Sequence, residues 1–409
     1  MSTTPPCRAT FARPCAAPSI SGALALLFAI ACGLAVANVY YAQPLLDTLA
    51  HTFGIRPATV GAVITITQIG YGLGLLLLVP LGDLVDRRRL IVGQSLLSVA
   101  ALLAVALAPS ASMLLPAMAA VGLLAVVTQV LVAYAAGMAA PGERGRVVGT
   151  VTSGIIIGIL LARAVSGTLS DLFGWRSVYL ASAAATLVVA GLLWTALPAG
   201  TRPAPGIAYP QLIRSVFALF AQEPVLRIRA VLAMLIFMAI TMLLTPMVLP
   251  LTAPPFSLSH TQVGLFGLAG AAGALGAARA GRQADRGRAQ RTTFVGLTAM
   301  LLSWPLIALL PWSIWTMVAG VVVIDFGLQS VHVANQSLIY RVRPEAQSRL
   351  TAGYMIFYSI GSATGSMAST MVYAHAGWNG VCIAGALVSG LALAFWALTQ
   401  HLTPQDTVR

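Results

Sequence analysis

Asp325, Gln329, His332 and Gln336 recur at i, i+4, i+7 and i+11 in a stretch whose other residues are mostly Val, Ile, Leu and Phe. That spacing places them on one narrow face of an α-helix, with Asn335 on its flank. A second ionisable residue, Arg163, stands in another long apolar stretch. A charge inside a membrane-spanning helix costs at least ~2.5 kcal/mol, so it requires a partner, a wet cavity or a function. Asp325 or His332 can exchange a proton, and the Arg163 guanidinium can hold an anionic group or Asp325 itself. The plain alternatives are a structural salt bridge for Asp325, a packing role for Arg163 and a single satisfying hydrogen bond for His332. Gln129, Asn38, Tyr41, Gln68, Tyr71, Tyr354 and Tyr358 add amide and phenol groups that can line a site for a moderately polar solute. Tyr40 and Tyr41, near a helix end, fit an interfacial anchoring role as well. Paired carboxylates, metal-spaced histidines, a nucleophile elbow and a Walker loop are all missing from the sequence, so neither an enzyme, a metal, a cofactor nor ATP as energy source is expected.

The elements that position these groups follow from composition. Hydrophobic residues make up 58% of the 409 and charged residues 8%, against roughly 25% charged in soluble domains. Apolar stretches reach the roughly 20 residues that cross a bilayer core. They predict an all-α membrane protein with spans near 20–42, 58–81, 90–108, 112–138, 148–170, 177–197, 230–251, 260–279, 293–310, 314–339, 351–373 and 379–399. The formal charge of +13 comes from 23 basic residues, every one an arginine. With both termini cytoplasmic, all of them fall on the inner side except Arg56, Arg176 and the intramembrane Arg163. This positive-inside separation argues against nucleic acid as a partner and for a multi-pass membrane protein. The apolar run after Arg8 and Arg13 continues into the first span and reads as uncleaved. Cys7, Cys15, Cys32 and Cys382 show neither disulfide nor metal-ligand spacing.

Five regions result: a tail over 1–19, a six-helix bundle over 20–197, a linker over 198–229, a second six-helix bundle over 230–399 and a tail over 400–409. The linker opens with Pro198, Pro203 and Pro205, and then Leu212, Ile213, Val216, Phe217 and Phe220 predict an interfacial helix. The two bundles are an internal repeat. Gly61 and Gly264, Arg146 and Arg349, Gly158 and Gly361, and Gly174-Trp175 and Gly377-Trp378 all pair at an offset of 203. An even number of spans per half makes these parallel repeats. At the same offset Gln129 stands opposite His332, but Gly122 stands opposite Asp325 and Ser366 opposite Arg163. Small residues, Gly154, Gly158, Ala162 and Ser166 in the fifth span and Gly361 and Gly365 in the eleventh, predict close helix packing. Gly264, Gly267, Gly270 and Gly273 offer a comparable face in the eighth.

The loop Gly82-Asp83-Leu84-Val85-Asp86-Arg87-Arg88-Arg89 resembles the signature between helices 2 and 3 of the major facilitator superfamily, shortened by two residues. Gly281-x-x-x-Asp285-Arg286 repeats it between the eighth and ninth spans. The resemblance implies a cytoplasmic conformational latch built on Gly82, Asp86, Arg87, Gly281, Asp285 and Arg286. Gly149, Gly158, Ala162, Arg163, Ser166 and Gly167 resemble the family's antiporter signature, with Arg163 where the family has proline. The drug-antiporter arginine expected three residues before Gln129 is replaced by Val126. Asn38-x-Tyr40-Tyr41-x-Gln43-Pro44 resembles a bacterial drug and sugar efflux subgroup. The resemblance implies a monomeric secondary transporter that moves a small organic solute by alternating access, with protons as coupling ion and efflux as direction. Proton-coupled uptake of a small organic anion, clamped by Arg163, is the second reading. A non-transporting receptor or scaffold is the third, and it gives no reason for a charged stripe at membrane depth.

Overall fold

The computed structural model describes residues 20–140, 143–198, 209–270, 286–343 and 347–403, with positions 273, 276, 280, 282 and 283. The predicted tails 1–19 and 404–409 and the linker stretch 199–208 lie outside the described residues, as do Gly281 and Asp285 of the second loop signature. Every regular element among the described residues is helical. The first half runs through α1 (Gly22–Tyr40), α2 (Leu46–Phe53), α3 (Ala62–Leu77), α4 (Arg87–Ala106), α5 (Ala111–Ala125), α6 (Val127–Met138), α7 (Arg144–Phe173) and α8 (Trp175–Ala196). The second runs through α9 (Tyr209–Gln222), α10 (Pro224–Leu244), α11 (Val248–Thr252), α12 (His260–Ala269), α13 (Ala289–Ala308), α14 (Ile314–Val342) and α15 (Gln347–Thr399).

Ten segments of the described chain are long and apolar enough to cross a membrane. Helices satisfy their own backbone hydrogen bonds, which hydrocarbon cannot do for them. Their outer faces are apolar as well: Leu97, Val188, Ile383, Leu387 and Leu391 are exposed, a surface suited to lipid and not to water. The last segment, 54 residues long, is broken at Gly377, whose backbone turns to φ 62°. The repeat partner Gly174 does the same at φ 81° between α7 and α8. A residue with a Cβ resists this conformation, so glycine places the helix break in both halves. Trp175 and Trp378, which follow the two glycines, are both buried.

Three edges differ from the hydropathy reading. The span expected over 112–138 is two helices meeting at Val126. The helix expected from 230 begins at Pro224, since proline at the first helical position lacks only an N–H that would have no intrahelical partner. The linker helix is confined to α9, which buries Leu212, Val216 and Leu219 and leaves Phe217 exposed. Contacts tie α9 to both halves: Tyr209 donates to the Leu77 carbonyl at 2.8 Å, Phe220 stacks on Phe357 at 5.3 Å, and Glu223 pairs with Arg343 at 2.6 Å.

Small residues set the packing in each half. A Cβ on Gly154 or Gly158 would run into the backbone of Ala29 or Gly33, so α7 lies directly against α1. Gly361 and Gly365 meet the Met234 and Met238 carbonyls, which brings α15 against α10 in the equivalent way. The halves meet along two seams. In one, α7 faces α12, with Gly264 against the Arg163 carbonyl; in the other, α15 faces α3, with Gly61 against the Ser366 carbonyl. Thr65 and Thr370 add hydrogen bonds to the Ala363 and Ala58 carbonyls in the second seam.

Candidate functional site

The α7/α12 seam holds the intramembrane charges. Arg163 is 6% exposed; its Nε donates to Gln43 Oε1 at 2.7 Å, and its guanidinium lies 5.4 Å from the Tyr40 ring centroid. Gln43 belongs to the short turn after α1, where Pro44 precludes a continuing helix. The missing side chain of Gly267 leaves room for the Arg163 stem, since a Cβ there would sit 3.2 Å from its Cβ and Cδ. One turn further along, a Cβ on Gly270 would lie 2.5 Å from Asp325 Oδ2, and one on Gly273 3.0 Å from Gln329 Cγ. Gly267, Gly270 and Gly273 therefore lie between Arg163 of α7 and the Asp325 stripe of α14. The two charges are close enough to act on each other. Among the described residues they do not join in an ion pair at contact distance. A fixed cation and a titratable carboxylate from opposite halves thus flank one glycine-lined strip.

Aromatic side chains close the site toward the second seam. Tyr40 and Tyr358 hydroxyls are 2.9 Å apart across the halves. Tyr358 also meets the rings of Phe237 at 4.2 Å and Tyr71 at 6.1 Å. Gln68 is 1% exposed, and its Oε1 has no hydrogen-bond partner among the described residues. A buried acceptor left unpaired is costly, and it marks a place where a donor from a bound solute or water fits. Gln129 reaches Tyr71 at 3.4 Å, which keeps it in the first half. Gln336 is half-buried on the Asp325 face. Asn38 accepts from Ser182 of α8 at 2.6 Å, so this polar pair serves packing inside the first half. Tyr41 is buried in the same region and also bonds Ser182.

His332 points to Tyr354, with Nδ1 2.9 Å from the phenol oxygen, and its ring meets Phe237 edge to face at 5.3 Å. The network behind it fixes the direction of the Asn335 contact. Arg229 is fully buried and donates to Asn335 Oδ1 at 3.3 Å, Gln290 Oε1 at 2.9 Å and Thr403 Oγ1 at 3.1 Å. A guanidinium only donates, so Asn335 turns its amide nitrogen to the Tyr354 oxygen at 3.5 Å. The Tyr354 hydroxyl donates to His332 Nδ1 or accepts from it according to the imidazole tautomer. Sequence reasoning placed Arg229 among the topogenic arginines and missed this role. A signal existed: its repeat partner is the apolar Leu26.

The first loop signature makes several contacts within the first half. Asp86 caps α4 through the Arg89 amide at 2.9 Å, and Arg87 Nε donates to the Gly82 carbonyl at 3.1 Å. Arg87 lies over the Tyr134 ring and Arg88 over Trp194. Arg286 of the second copy is exposed. Sequence reasoning also passed over Asp47, Asp171 and His260, which meet at the arginine-poor end. Their repeat partners Pro250, Ala374 and Pro57 are all non-ionisable, the same kind of exception that marked Arg163 and Asp325.

Comparison with known proteins agrees with this architecture. The family model for the Major Facilitator Superfamily matches residues 27–342 and 231–409. The uncharacterized transporter YgaY of Escherichia coli O157:H7 is 47% identical over 377 residues, covering 92% of this chain and 95% of that one. A solved bacterial homologue of the human lysosomal transporter Spinster, inward-facing and unoccupied, is similar with a TM-score of 0.76 at 15% identity, over 94% of this chain and 98% of that one. The nucleoside transporter NupG gives a TM-score of 0.72 at 16% identity, over 92% and 99%. At such identities the two structures bear on the fold alone.

Proposed function

Because this chain belongs to the major facilitator superfamily, we propose that it is a proton-coupled antiporter of twelve helices that expels a small organic solute across a bacterial inner membrane. The arginine-rich loops and both termini face the cytoplasm, following the positive-inside rule. The observation that supports this reading is Arg163 and Asp325 facing one strip from opposite halves without an ion pair. Asp325 can be neutralised by a proton or by a donor group of the solute, and each excludes the other. Competition for one carboxylate, combined with rocking of two parallel repeats around a midplane site, yields exchange. Arg163 stays charged throughout and keeps the strip polar. Tyr40, Tyr71, Phe237 and Tyr358 suit the apolar body of the solute, while Gln68, Gln329 and His332 Nε2 supply polar contacts.

The test is transport of a solute panel in proteoliposomes with and without a pH gradient, in the native protein and in Asp325→Asn, His332→Gln and Arg163→Gln. Asp325→Asn is expected to retain solute counterflow and lose its response to the gradient. Native proton coupling in all three variants overturns the site assignment. Gradient-driven accumulation of an anion, lost in Arg163→Gln, replaces efflux by uptake.

A further inference from the structure

At the end of the bundle away from the arginine-rich loops, one imidazole joins the halves. His260 opens α12, whose first turn is fixed by a capping box between Ser259 and Gln262. Asp171, near the end of α7, reaches across the seam to that turn. Its carboxylate accepts from the His260 amide at 3.2 Å, the Thr261 amide at 2.8 Å and the Thr261 hydroxyl at 2.7 Å, so it caps a helix of the other half. Asp171 Oδ1 also lies 2.9 Å from His260 Nδ1. On the other edge of the ring, Nε2 lies 3.0 Å from Asp47 Oδ1 and 2.9 Å from Thr48 Oγ1, both in α2.

The chemistry of this arrangement counts protons. Each imidazole nitrogen faces a carboxylate oxygen, and an ionised carboxylate only accepts. A neutral imidazole has one N–H, so it can satisfy one of the two carboxylates. With both contacts made, the trio binds one proton beyond a neutral histidine and two carboxylates. The charged groups facing His260 are Asp47 from α2 and Asp171 from α7; its own turn presents the neutral Ser259, Thr261 and Gln262. The three side chains are 19–25% exposed, so the proton can exchange with water.

We propose that His260, held between Asp47 and Asp171, is a proton-binding latch that keeps the arginine-poor ends of the two halves together. Opening that end separates the imidazole from both carboxylates and releases the proton. The closed state binds the proton more tightly, so acid favours closure and alkali favours opening. This latch is separate from Asp325 and His332, and it operates whether or not they couple transport.

Spin labels at Thr52→Cys and Ala253→Cys, exposed positions of the two halves at this end, report the opening in full-length protein whose four native cysteines are replaced. Distances are measured by electron–electron double resonance in nanodiscs, without solute, from pH 5 to pH 9. The open-to-closed ratio is expected to rise at least tenfold with pH in the otherwise native protein and to lose this dependence in His260→Gln. Asp47→Asn and Asp171→Asn should each move the midpoint about one unit toward acid, and these variants decide the matter if His260→Gln fails to fold. A distance distribution constant from pH 5 to pH 9, the native pH dependence in His260→Gln, or unmoved midpoints in both Asp variants overturns the latch.

Discussion

The two seams between the halves are copies of one contact that differ in what they carry. Gly61 meets the Ser366 carbonyl in one and Gly264 meets the Arg163 carbonyl in the other, and both partners are related by the same repeat offset. The backbone approach is alike in the two. The side chains are not: the α3/α15 seam is lined by Ser366, Thr370 and Thr65, whose hydroxyls bond to Gly61, Ala58 and Ala363 carbonyls. The α7/α12 seam has Arg163 at its middle, Asp325 across the glycine strip and the His260 cluster at its end. A repeat fixes where helices touch, and departures from it show where one touching surface acquired charge. Keeping a charge there has a cost that uniform packing would avoid, which is the physical reason to assign function to the charged seam.

The largest contrast is expected from removing the charge on one side only. Arg163→Gln should lower transport about a hundredfold, the scale for truncating a buried charge-assisted contact. Ser366→Ala, at the equivalent place, should stay within about twofold. Initial rates of solute flux in proteoliposomes measure both. Arg163→Lys should recover little, because an ammonium cannot bond Gln43 and cover the Tyr40 ring at once. Equal losses at 163 and 366 would erase the difference between the seams.

Asp325→Asn should come next, with about a tenfold loss of gradient-driven flux and near-native counterflow, read in the same vesicles. This is where the sequence spoke most directly. The i, i+4 spacing placed Asp325 and Gln329 on one helical face, and they lie against Gly270 and Gly273 respectively. The helix breaks were legible too, since Gly174 and Gly377 recur with their tryptophans and both turn to positive φ. Gly122 was seen to lack an acid, but the reason appears only in three dimensions: a Cβ there would run into the Thr67 carbonyl of α3. Asn38 and Tyr41 share the polarity of site residues, and no pattern in one helix reveals that they face Ser182 of α8. For Arg229 and the His260 cluster the repeat flags the residues as exceptions but not their partners, which lie 61 to 213 positions away along the chain.

Packing should respond symmetrically where chemistry does not. Gly264→Val and Gly61→Val each force a branched side chain onto a carbonyl oxygen, and overpacking of this kind costs about 1–3 kcal/mol. Thermal unfolding in detergent should show matched losses for the two, even though only the seam with Gly264 holds charge. A loss confined to Gly264→Val would mean that the seams differ in backbone packing as well as in side chains.

A smaller effect than at Asp325 is expected where the seams connect. Tyr358 of α15 bonds Tyr40 of α1 at 2.9 Å, and the Tyr40 ring lies under the Arg163 guanidinium. A pair of hydroxyls therefore connects the neutral seam to the charged one. Tyr358→Phe keeps the ring contacts to Phe237 and Tyr71 and removes that bond, worth about 1 kcal/mol. Flux should fall roughly fivefold, and the same substitution made on top of Arg163→Gln should add nothing, because the Tyr358 hydroxyl then has no charged site to position. Additive losses in the double variant would place Tyr358 on an independent route, such as direct contact with the solute.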